Sequence, residues 1–64
     1  MNEILKDKIN QDILELLEKN DEMTLGGIVK SLGISAEKGL QYMVNLKRKG
    51  LVKIEDQAKY ALNL

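Results

Sequence analysis

The spacing of apolar residues changes once along this 64-residue chain, and that change limits what it can fold into. Up to Leu46 the apolar positions recur at helical intervals; from Leu51 they alternate. Ile9, Ile13, Leu16 and Leu17 share one helical face, flanked by Leu5 and Leu14. Val52 and Ile54 point one way, with Lys53 and Glu55 opposite. Tyr60, Leu62 and Leu64 do the same against Lys59, Ala61 and Asn63. The expected architecture is α+β: three helices followed by a two-stranded hairpin. All of residues 1–64 belong to one domain, since a chain of this length has no room for a second.

Local signals divide the helical part. The first helix is expected from about Glu3 to Lys19, capped by Asn2 and ended by Asn20-Asp21. Met23 is placed for a brief strand pairing. Thr24 then caps a short helix over 25–32. Gly26 and Gly27 weaken it by about 1 kcal/mol each relative to Ala. Two roles fit these glycines: a helix held by tertiary contacts of Leu25, Ile28, Val29 and Leu32, or a close approach of another backbone. Gly33 suits a left-handed stop. Ser35 caps a third helix from Ala36 to about Lys49, with Glu37 at its positive end and Lys47-Arg48-Lys49 at its negative end. Gly50 closes it. The Glu55-Asp56-Gln57 turn lacks a glycine for positive φ.

A core is affordable. Eleven Leu, six Ile, three Val and three Met supply enough aliphatic bulk for a domain this small. Leu17, Ile28, Leu32, Met43, Leu46 and Leu62 are expected to be buried together, with Tyr42 and Val44 at the core margin.

The order of elements resembles the winged helix-turn-helix family over about 10–64. Asp12–Leu17 (DILELL) is similar to that family's first helix, and Met23-Thr24-Leu25 to the entry into its second. Ser31–Ser35 (SLGIS) resembles the turn. Leu46–Val52 (LKRKGLV) resembles the end of the recognition helix and the start of the wing. Tyr60-Ala61-Leu62 resembles the returning strand. Two features depart from the pattern. Gly39 stands where the family usually has a β-branched residue facing the second helix, and the short wing offers only Lys53 and Lys59 as cations. The resemblance implies a transcriptional regulator that lays its third helix in the major groove of double-stranded DNA.

Charge supports that expectation. Residues 1–22 carry seven acids and three bases, and residues 23–64 carry three acids and seven bases, so a formal net charge of zero hides a −4/+4 division. Phosphate attraction depends on a local basic face rather than on total charge. On the third helix, Ala36, Gly39, Leu40, Met43 and Leu46 fall on one side, and Lys38, Gln41, Asn45 and Arg48 on the other. Gln and Asn make paired hydrogen bonds to adenine, and Arg or Lys reaches guanine or phosphate. Lys38, Gln41, Asn45 and Arg48 are therefore the candidate base contacts. Lys30, Ser35, Lys49, Lys53 and Lys59 are the candidate phosphate contacts. A solvated helix face has the same stripe, and Lys47-Arg48-Lys49 equally suits the end of a helix.

Other classes are disfavoured. The chain has no Cys and no His, which removes thiol chemistry, disulfides and the commonest general base and metal ligand. Neither an enzyme nor a cofactor is expected. Two tyrosines leave little to stack single-stranded bases on. No apolar run approaches the ~20 residues that span a bilayer, and no basic-then-apolar leader opens the chain, so a cytoplasmic protein is the expectation. A homodimer would double a small DNA interface, with Ile4 and Leu14 as candidate contacts. The alternative to DNA binding is a winged-helix protein-interaction module.

Overall fold

Local hydrogen-bond chemistry sets most element boundaries. The computed structural model of the chain describes residues 7–55 and 58–64. Helix α1 spans Lys8–Asn20, strand β1 Glu22–Thr24, helix α2 Leu25–Leu32, helix α3 Ala36–Arg48, strand β2 Val52–Glu55 and strand β3 Lys59–Leu62. The described part of the first helix starts later than expected. Asp7, in extended geometry, is its N-cap, and its Oδ1 accepts the Ile9 N–H at 2.9 Å. The expected cap Asn2 and the expected contact Ile4 lie outside the described residues, as does the 56–57 part of the hairpin turn. Asp21 ends α1 with φ +64.

The two later helices begin and end where their capping residues stand. Thr24 Oγ1 accepts the Gly27 N–H at 3.1 Å, and Ser35 Oγ accepts the Lys38 N–H at 3.0 Å. Gly33 adopts the left-handed conformation after α2, and its N–H and that of Ile34 both reach the Val29 carbonyl. After α3, Gly50 (φ +78) donates to Lys47 O and Leu51 to Leu46 O, the paired bonds of a Schellman stop.

The sheet has three strands rather than the two of a plain hairpin. Its order is β1-β3-β2, and both pairings are antiparallel. β1 pairs through Met23↔Tyr60, and β2 through Val52↔Leu62 and Ile54↔Tyr60. The short strand at Met23 thus makes β3 the centre of the sheet. In the hairpin, Ala58 takes the positive φ (+59) for which no glycine was present.

Ile13, Leu17, Ile28, Met43, Leu46, Val52 and Tyr60 form one core cluster under the sheet. Leu32 and Leu62, expected to be buried in this core, are half-buried and pack against it. Tyr42 is half-buried at the margin as expected, whereas Val44 is exposed. Asn10 is buried among these apolar groups, and its Oδ1 has no hydrogen-bond partner among the described residues. No described helix is long and apolar enough to cross a membrane.

Candidate nucleic-acid interface

Helix α3 is held on its inner side by Gly39, Met43 and Leu46, all buried. Gly39 has a specific steric cause. A Cβ built there would overlap Val29 Cγ1 and come within 3.5 Å of Leu25 Cδ1, both on α2. The missing side chain is what lets α2 and α3 approach this closely. Gly26 and Gly27 play no such part: a Cβ on either meets only ordinary or distant contacts with the Met23 and Thr24 side chains. Among the described residues no other backbone closes on either glycine, which leaves a helix held by tertiary contacts.

A second tether fixes the flank of α3. The Tyr42 hydroxyl donates to Asp7 Oδ2 at 2.8 Å, joining the start of α1 to the middle of α3. This hydrogen bond is the largest cause holding the Asp7 carboxyl below its ordinary value, and Lys38 adds a smaller favourable charge. The same bond is the main cause raising the Tyr42 phenol. Sequence reading missed Asp7 because the pair is 35 residues apart.

The outer face of α3 divides in two. Lys38, Gln41 and Asn45 line one shallow depression of about 280 Å³ beside Tyr42, so three of the four candidate base contacts are brought together. Arg48 lies elsewhere. With Lys47 it rims a groove of about 450 Å³ whose walls are Leu40, Val44 and Ile54 and whose floor includes Met43 and Tyr60. Leu40 was expected on the core side and Val44 at the core margin, yet they are 46% and 48% exposed. Ile54 on β2 is 47% exposed, although it was aligned with the buried Val52. The buried arc of α3, Gly39, Met43 and Leu46, is narrower than its apolar arc, and the Leu40–Val44 edge is left uncovered.

The candidate cations also fall into two groups. Lys30, Lys38, Lys47, Arg48 and Lys49 make no ion pair among the described residues. The wing cations are engaged: Lys53 pairs with Glu55 at 3.1 Å and Lys59 with Glu22 at 3.5 Å. Exposed pairs of this kind contribute about 0–1 kcal/mol, so a phosphate competes with them rather than being barred. Ser35 Oγ is committed as acceptor to its helix cap, which leaves its hydroxyl proton as a donor. Among the described residues, no group of three or more His, Cys, Asp or Glu is arranged to hold a metal ion.

Comparison of this chain with protein-family models, with curated proteins and with solved structures found no match.

Proposed function

We propose that this chain is a winged helix-turn-helix module that binds double-stranded DNA sequence-specifically, as a small transcriptional regulator, with α3 in the major groove. The observation that carries the reading is the grouping of Lys38, Gln41 and Asn45 in one open depression on a helix anchored at Gly39, Tyr42 and Leu46. An anchored helix with outward amides offers paired hydrogen bonds to adenine, and its cations, unpaired among the described residues, offer phosphate contacts. Lys30, Lys38, Arg48 and Lys49 supply the attraction in this reading. Lys53 and Lys59 contribute less, because each already faces a carboxylate. A homodimer on a palindromic site would enlarge the interface. Leu14, with Leu51, Leu62 and Leu64, lines a groove beside α1 that suits such a contact.

One observation favours a second reading, the protein-interaction module: the apolar groove of Leu40, Val44 and Ile54 shares the exposed face of α3. Duplex titration at two salt concentrations separates the two. The DNA reading expects a steep salt slope that flattens by about one unit per phosphate contact removed in Arg48→Ala or Lys49→Ala. It also expects Gln41→Ala and Asn45→Ala to lower affinity for a preferred site by about 1–3 kcal/mol each while sparing random duplex. A wild-type ratio of specific to random affinity near one would end the DNA reading.

A further inference from the structure

The apolar edge of α3 cannot be separated from its polar stripe. At about 100° per residue, Val44 lies about 60° around the helix from Gln41 and about 40° from Arg48, and between them along the axis. Gln41 and Arg48 are only about 20° apart on the helix, and Val44, 48% exposed, stands about 40° beyond Arg48 on the apolar side, so it flanks a duplex seated on both. Leu40 lies about 100° from Gln41 by the same arithmetic, a further 40° or so around than Val44. Ile54 belongs to the opposite wall of the groove.

In the major groove an A·T pair presents the adenine N7 and N6, then the thymine O4, then the thymine C5-methyl. An amide side chain seated on the adenine edge leaves that methyl at the far end of the pair. On a helix, residues three apart have Cβ atoms about 5–6 Å apart, so Val44 stands beside whatever Gln41 contacts. An isopropyl group there would desolvate without gain against a phosphate or a guanine edge. Against a methyl it buries apolar surface on both sides.

We propose that Val44 is a specificity-determining residue that packs on a thymine methyl, so that Gln41 and Val44 together select A·T pairs. This rests on the DNA-binding reading above and names the sequence class that the same face would prefer.

The test starts with selection of a preferred duplex from random sequence by the full chain. Each thymine in that duplex is then replaced singly by deoxyuridine, which lacks only the C5-methyl. Affinities are measured at one salt concentration for wild type, Val44→Ala and Ile54→Ala. At one thymine position, the deoxyuridine duplex should bind wild type about fourfold more weakly, the worth of one buried methyl. Val44→Ala should bind both duplexes equally, and Ile54→Ala should keep the fourfold ratio. Equal wild-type affinity for thymine and deoxyuridine at every position overturns the proposal, and is what a groove reserved for a protein partner would give. Retention of the ratio by Val44→Ala also overturns it. Failure of the selection to yield any preferred sequence defeats the DNA reading itself, and is seen before deoxyuridine is introduced.

Discussion

Adding one methyl group at Gly39 should destabilise this protein, although the same change in an exposed helix stabilises it. Ala is favoured over Gly by about 1 kcal/mol within a helix. Here the new Cβ collides with Val29 Cγ1, and Leu25 Cδ1 is 3.5 Å away on the same side. Val29 has little freedom to yield, since a β-branched side chain in a helix keeps one strongly preferred rotamer. Overpacking of this kind costs about 1–3 kcal/mol, so Gly39→Ala should lose about 1 kcal/mol net. For a domain of this size that lowers Tm by about 4–8 °C. Gly26→Ala is the internal control: its Cβ meets nothing nearer than Thr24 Oγ1 at 4.0 Å, so it should gain about 0.5–1 kcal/mol. The partner test is Val29→Ala, which removes the obstructing methyl. Alone it should cost about 1 kcal/mol, because Val29 is half-buried. Combined with Gly39→Ala, the loss should fall well below the sum of the two. Thermal and urea unfolding followed by helix circular dichroism would measure all four. If Gly39→Ala matches or exceeds wild type, or if the two changes add within about 0.5 kcal/mol, the steric account of α2–α3 packing is wrong.

Leu46→Ala should cost about 2–5 kcal/mol in urea unfolding, since Leu46 is fully buried; a loss under about 1 kcal/mol would be a surface-like value at odds with this burial. Asn10→Leu, near-isosteric and without the acceptor that has no partner among the described residues, should raise stability by about 1 kcal/mol; a comparable loss would show that the amide oxygen is bonded in solution. The Asp7–Tyr42 bond should mark both ends of the pH profile. The Asp7 carboxyl is lowered in the folded state, so its contribution is present above the ordinary carboxyl value of 3.8 and fades as pH falls through the depressed one. The Tyr42 phenol is raised, so its contribution is present below 10.0 and fades as pH rises through the elevated value. Tyr42→Phe should flatten both limbs in Tm measured against pH; unchanged limbs would mean that the bond does not form in solution.

By itself the sequence determined the features that depend on neighbours along the chain. Thr24, Ser35, Gly33 and Gly50 capped or stopped helices where their side chains or left-handed φ satisfied backbone groups within a few residues. The grouping of Lys38, Gln41 and Asn45 also followed from helical spacing alone. Tertiary structure decided what depends on distant partners. The start of α1 was misplaced because Asp7 takes the capping role and is also held by Tyr42. Lys59 faces Glu22 because β1 pairs on the far side of β3, with Thr24 opposite Lys59. The exposure of Leu40 and Val44 was hidden because a helical wheel shows which residues are apolar, not which part of that arc its neighbours cover. Only the packed neighbours decide it: α2 closes on α3 at Gly39, where a Cβ would overlap Val29, while nothing among the described residues buries Leu40 and Val44 beside Gln41 and Arg48.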